Sequence, residues 1–334
     1  MTPDRELLRA PIQAELSVRT SDWLGAQWLL LVKVATSTIL LAWIVSRASF
    51  SEILAAFSSA SIPLLLAAYA LTVVGTMLTV SRWRLLLRAQ GAPLPFLRLL
   101  HSYLVAMFFN NFLPSTVGGD ASRAYDCYRM TGGNRRAMSS VVLDRLLGLL
   151  ALLVFALGSL HFAKAVSDQV PVLALWLSLA VIGLGGVVGA IFFGLPSRGT
   201  ASAMALIIPR QLHRVIAAIV GAFELYRGQW QTLAIAFALS LLLQFNVIVH
   251  FVLIAQALGL DVPARDFCLI VPLVSFVIML PISINGIGLR ENALAVMLGY
   301  YGAGAAEAVA LAWLVHIANL ILSLAGGLIY ASRR

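Results

Sequence analysis

Apolar residues run along this chain in long stretches separated by short polar, arginine-bearing segments. A helix needs about 20 predominantly apolar residues to cross the hydrocarbon of a bilayer. The pattern predicts full spans at Leu24–Ser46, Ile62–Val80, Ala137–Phe162, Val170–Gly194, Trp230–Leu258 and Ala305–Tyr330. Two further stretches, Phe96–Leu113 and Phe267–Leu280, each run into a proline and then a glycine-containing polar loop. These predict helices that enter, break and return.

The cations set the orientation. Arg5, Arg9 and Arg19 precede the first span, and Arg82, Arg84, Arg88 and Arg98 follow the second. Arg129, Arg135 and Arg136 precede the third, Arg198, Arg210, Arg214 and Arg227 lie between the fourth and fifth, and Arg333 and Arg334 end the chain. All fall on one side if Phe96–Leu113 dips in and returns, which leaves Arg47, Lys164 and Arg265 opposite. The excess of positive charge makes the rich side cytoplasmic, with both termini there. Phe267–Gly304 must then enter and leave from the outer face. Non-helical backbone at that depth is tolerated only when buried in protein or lining a wet cavity. The expected fold is an all-α integral membrane protein of about six transmembrane helices plus two re-entrant helical hairpins in an inverted repeat. Residues 1–23 form a cytoplasmic segment and 24–330 a single domain, with halves at roughly 24–162 and 170–330. Within it, Ala203–Tyr226 carries an apolar stripe of Val215, Ile216, Ile219, Val220 and Phe223, with Arg210, Arg214 and Glu224 away from it. That suits a cytoplasmic surface helix, or a plain connection between spans.

Composition agrees. Of 334 residues, 61% are hydrophobic and 11% charged, against about 45–50% and about 25% in soluble domains. The net charge of +9 does not indicate nucleic acid, because the cations sit in clusters between apolar runs. Cys127 and Cys268 fit no metal or redox spacing. The N-terminus mixes acids with arginines and lacks the pattern of a cleaved signal. His101, His161, His213, His250 and His316 are too scattered for a ligand motif, and no nucleotide loop, nucleophile elbow or magnesium-holding acidic cluster is present. No metal or cofactor is expected.

The two broken stretches match each other. Leu113-Pro114 is followed by STVGGDAS and Arg123; Leu280-Pro281 is followed by ISINGIGL and Arg290. Proline and arginine stand nine residues apart in both, and Gly119 aligns with Gly286, and Phe109 with Phe276, at an offset of 167, half the chain. Proline ends the incoming helix, while Gly118-Gly119, and Gly286 with Gly288, permit backbone shapes that other residues resist. The helix that starts next offers free N–H groups and a positive dipole end beside an arginine, which suits a phosphate. Broken segments at corresponding places in two halves point to a transporter site near the midplane.

FFNNFLPSTVGGDASRAY, AMSSVVLDRLLGLLAL and LPISINGIGLREN resemble the motifs of the lysylphosphatidylglycerol synthase transmembrane region, a flippase-like family. The resemblance runs from about Leu24 to Tyr330. It implies translocation of an aminoacylated or otherwise modified phospholipid, or of a polyprenyl-linked lipid, across a cytoplasmic membrane. The sequence stops four residues after Tyr330, without the soluble synthase domain of two-part relatives, so aminoacyl transfer is not expected. A separately encoded lipid-modifying synthase is the protein partner this implies.

Arg123, Arg290, Gly118, Gly119, Gly286, Gly288, Asn110 and Asn111 are the expected headgroup-binding residues, with Asp120, Asp144, Arg145 and Glu291 as supporting charges. Asp120 would orient Arg123, and Glu291 would orient Arg290, since an isolated cation at mid-membrane costs about 2.5–3.5 kcal/mol on insertion scales. Each of Asp144 and Arg145 needs a partner elsewhere, because adjacent helical residues diverge; Arg145 is expected to reach the first hairpin. Asparagines at helix ends also satisfy orphan backbone groups, which is the structural alternative for Asn110, Asn111 and Asn285. Gln244, Asn246, His250, His316 and Asn319 suit hydrogen bonds between helices, with a hydrophilic substrate groove as the alternative. Two other functions stay open: a membrane-embedded transferase using Asp120, Asp144 or Glu291 as base, and a non-transporting subunit of a synthase.

Overall fold

The structure is a computed structural model. It describes Trp28 and residues 31–112, 118–132, 135–160, 162, 175–179, 182–183, 225–226, 228–280 and 282–332, with backbone alone for 135–138. Nearly all of the Val170–Gly194 span and of the Ala203–Tyr226 helix, residues 1–23, the turn at 113–117 and Pro281 lie outside the described residues.

Among the described residues all regular structure is helical. Helix α1 (Leu31–Arg47) turns by 81° into α2 (Phe50–Ser59). The break has a local cause: Ser49 caps α2, accepting from the Glu52 N–H at 3.2 Å while the Glu52 carboxylate takes the Ser49 N–H. Such a capping box starts a new helix instead of continuing the old one. The long helices are α3 (Ile62–Ala89), α6 (Arg135–Ser159), α7 (Trp230–Ala257) and α10 (Ala305–Ser332). These four are long and apolar enough to cross a membrane, and α1 with α2 makes up to five. Helix α3 runs nine residues past the predicted end at Val80. Its last turns bury Trp83, Leu86 and Leu87 completely, so packing carries the helix through a segment whose arginines read as solvent.

Two hairpins complete the fold: α4 (Phe96–Phe112) with α5 (Gly118–Met130), and α8 (Phe267–Ile278) with α9 (Leu289–Gly299). Their placement follows from α3 and α7, which pack antiparallel. Gln229 at the start of α7 donates to the Ala89 carbonyl at 2.9 Å, and at the other end the Ser61 N–H donates to the Ala257 carbonyl at 2.9 Å. The basic end, where α3 finishes, carries Arg98 and Arg129 of the first hairpin beside the last turn of α10. At the far end, where α3 begins, Phe267 opens the second hairpin and packs in one core with Leu298 at its close. The hairpins therefore enter from opposite ends of the bundle. They meet tip to tip, where the Asn285 amide donates to Asn111 Oδ1 at 2.8 Å. At 1.5 Å per residue, α4 and α8 together span about 44 Å, close to the roughly 42 Å of α3 alone.

The inverted arrangement stands in space, but the internal match does not extend to register. Helix α5 begins at Gly118, which places Arg123 sixth in it, whereas α9 begins at Leu289 with Arg290 second. Gly286 (φ 74°) and Gly288 (φ 82°) shape the second turn, beside Asn285 at φ 50°. Gly118 and Gly119 are instead helical. Gly119 is needed for closeness: a Cβ there would collide with the Ala106 carbonyl of α4.

Small residues also let α10 approach α4, as helix pairs in membranes commonly require. A Cβ on Gly326 would strike the Leu104 carbonyl, a backbone atom that cannot swing away, while one on Gly158 of α6 would meet nothing. Overpacking of this kind costs about 1–3 kcal/mol. Gly326→Ala is expected to lower the thermal unfolding midpoint of the detergent-solubilised chain by several degrees, and Gly158→Ala to leave it in place.

Candidate functional site

Four helices bring polar side chains to one point inside the bundle. Arg82 of α3 donates from Nε to Asp144 Oδ1 of α6 at 2.6 Å and from Nη1 to Ser240 Oγ of α7 at 2.7 Å. Arg123 of α5 reaches the other carboxylate oxygen of Asp144 at 3.2 and 3.3 Å. All four residues are buried. The Arg123 guanidinium also lies over Trp83 at 4.4 Å and near Tyr103 at 5.4 Å, where aromatic faces attract a cation. Trp83 is held in turn by its indole N–H bond to Ser140 at 3.1 Å. Counting residues from the basic ends of α3, α6 and α7, Arg82, Asp144 and Ser240 lie about 10, 14 and 15 Å in. The cluster is thus level across three helices, two to three helical turns in from their basic ends.

Beside it Arg145 of α6, half exposed, grips Asp120 of α5 with Nε at 2.8 Å and Nη2 at 2.9 Å. The two hairpin-to-span pairs are reciprocal. Helix α5 contributes Asp120 and Arg123, and α6 contributes Arg145 and Asp144.

These groups line a cavity of about 230 Å³ that reaches Met279 of the second hairpin. Its lining also includes Met107, Leu149, Leu152 and Leu243, so charged and apolar side chains share it. The charged lining is Arg82, Arg123, Arg145, Asp120 and Asp144. Among the described residues, three cations against two anions leave one positive charge unmatched. Two buried donors also have no partner among the described residues, Nε of Arg123 and Nε2 of Gln244. Buried donors without acceptors are costly.

Several expected roles change. Asp120 stands 3.8 Å from Arg123 and serves Arg145; the group that holds Arg123 is Asp144. Arg145 does reach the first hairpin, as its need for a partner implied. Arg290 is absent from the cavity lining, and its guanidinium bonds the Asn285 carbonyl at 3.3 Å. Glu291 does not pair with it among the described residues; its carboxylate takes the Gly288 N–H at 2.7 Å and caps α9. Arg123 and Arg290 therefore do not converge on one point, because the register difference turns Arg290 back onto its own turn. Asn110 lines the cavity, while its Oδ1 accepts the Gly119 N–H at 2.9 Å and so caps α5 from α4. Asn111 joins the two tips. His250 bonds the Ala68 carbonyl across α3 and α7 at 2.8 Å, an interhelical bond of the expected kind.

The second cation of the cavity is Arg82, which sequence reasoning placed beyond the end of a span. The signal that could have found it is Asp144: a carboxylate within a span requires a cation, and Arg82 stands two residues past an assigned boundary.

Removing one partner of a buried ion pair costs about 3–5 kcal/mol, whereas a partly exposed pair contributes about 0–1 kcal/mol. Asp144→Asn is therefore expected to destabilise the solubilised chain far more than Asp120→Asn, read as thermal unfolding midpoints of the two variants.

The model of the lysylphosphatidylglycerol synthase TM region family matches residues 30–327. No curated protein matches the chain. The matched interval holds both hairpins and the whole charged cluster, and the chain belongs to the lysylphosphatidylglycerol synthase transmembrane region family.

Proposed function

We propose that this chain moves an anionic or modified phospholipid, or a polyprenyl-linked lipid, between the leaflets of the membrane it spans. The observation that carries this is the Arg82–Asp144–Arg123 cluster, with its surplus positive charge in a cavity that apolar side chains also line. A lone charge in that position is costly, and an anionic headgroup relieves it. The apolar lining accommodates the part of the lipid next to the headgroup, while the chains stay in surrounding hydrocarbon. Carrying only the headgroup through a polar path avoids most of its desolvation cost.

Two further features support transport. The hairpins enter from opposite ends and meet at their tips, so neither forms a continuous wall across the bundle. The excess of arginine at the basic end favours a cytoplasmic side for it, which would put the cavity nearer the inner leaflet. A transferase reading is less well served: Asp144 is held between two guanidiniums, Asp120 is gripped by a third, and Glu291 caps a helix. Carboxylates so engaged are poor bases.

The test is reconstitution in liposomes with a labelled anionic phospholipid in one leaflet. The intact chain is expected to deliver the unchanged lipid to the other leaflet. Arg123→Gln should reduce the rate at least tenfold, and Arg290→Gln should retain most of it. Equal rates in protein-free vesicles, or a new covalent product, would overturn the proposal.

A further inference from the structure

We infer that the cavity selects a lipid phosphodiester with one negative charge and no ammonium group, and discriminates against aminoacylated headgroups. This narrows the translocation proposal and rests on the same cavity being the headgroup site.

The first ground is charge. Arg82, Arg123 and Arg145 face Asp120 and Asp144, and no other charged residue lines the cavity among those described. One phosphodiester brings the site to neutrality. A diphosphate overshoots it, and a phosphodiester bearing a lysyl group, with its ammonium charges, adds cations to cations.

The second ground is the state of the acceptors. An ammonium group is a donor and needs a carboxylate or carbonyl oxygen. All four carboxylate oxygens of the cavity already accept from guanidiniums: Asp144 Oδ1 from Arg82, Asp144 Oδ2 from Arg123, and both oxygens of Asp120 from Arg145. A lysyl ammonium reaching a remaining lone pair on one of these oxygens would stand directly beside the guanidinium already bound there, cation against cation.

The third ground is the state of the donors. Nε of Arg123 and Nε2 of Gln244 are buried without acceptors, in side chains only 3% and 8% exposed. Phosphate oxygens accept and do not donate, so they supply what these nitrogens lack. Buried donors without acceptors, beside carboxylates already engaged by guanidiniums, describe a site for a bare phosphodiester.

The experiment titrates the full chain in neutral detergent with short-chain lipids and follows the unfolding midpoint. The probes are dihexanoyl phosphatidylglycerol, its lysylated derivative, dihexanoyl phosphatidylethanolamine and the deacylated headgroup, glycerophosphoglycerol. Phosphatidylglycerol is expected to bind at least tenfold more tightly than the lysylated and ethanolamine lipids, with the deacylated headgroup weaker still. Arg145→Gln removes one cation and frees Asp120 at the half-exposed rim. It should shrink the preference over the lysylated lipid about tenfold, chiefly by tightening the latter. Equal or tighter binding of the lysylated lipid by the unaltered chain overturns the inference, as does saturable binding of none of the four. Glycerophosphoglycerol binding as tightly as the lipid would assign the site to a soluble phosphodiester and overturn it too. The same lipids assayed in liposomes separate the two proposals. Selective binding without transfer defeats translocation alone, and transfer that favours the lysylated lipid defeats the selectivity alone.

Discussion

Asp144 is the residue on which the rest of this molecule depends. It is a carboxylate buried in the middle of a bundle, and its two oxygens are divided between cations from different elements, Arg82 of α3 and Arg123 of the first hairpin. A charge in such a place is tolerated only when paired and hydrogen-bonded. The pairing dictates geometry. Helix α3 must continue past its apolar stretch to deliver Arg82, α5 must pack closely enough for Arg123 to arrive, and α7 must supply Ser240 for the remaining guanidinium nitrogen. Three spans and a hairpin are thereby fixed around one carboxylate.

Buried ion pairs are weak evidence for stability, since desolvation consumes much of what the charges gain. A cluster with more cations than anions is weaker still as a stability device. Its persistence inside an apolar bundle makes better sense as provision for a ligand that carries the missing charge. The same reasoning explains why the stacking of Arg123 on Trp83 and beside Tyr103 matters. Aromatic faces steady the guanidinium without consuming its donors, and Nε stays available.

The sequence made the spans legible because run length is a direct physical requirement of the hydrocarbon layer. The starts of α3, α7 and α10 fall where the pattern put them. The hairpins were legible for a similar reason, a proline and glycines interrupting an apolar run. Partners were not. Hydropathy treats Arg82 as the end of a helix, whereas packing of Trp83, Leu86 and Leu87 carries the helix on. The equal spacing of Arg123 and Arg290 from their prolines suggested two equivalent cations, but spacing along the chain does not determine where a helix starts. Four residues of difference in register send one arginine into the cavity and leave the other on its own turn.

That asymmetry has a mechanical side. Near the cavity the first hairpin is tied to α6 by two reciprocal ion pairs, one of them fully buried. At its tip the polar link to the second hairpin among the described residues is a hydrogen bond between the neutral amides of Asn111 and Asn285, of a kind that contributes about 0.5–1.5 kcal/mol net. Among the described contacts the first hairpin is thus held firmly at the charged cluster and lightly where it meets the second. A bundle tied this way would part at the hairpin tips while the charged cluster keeps its shape, which is the order of strengths that the proposed transfer of a polar group from one half to the other demands.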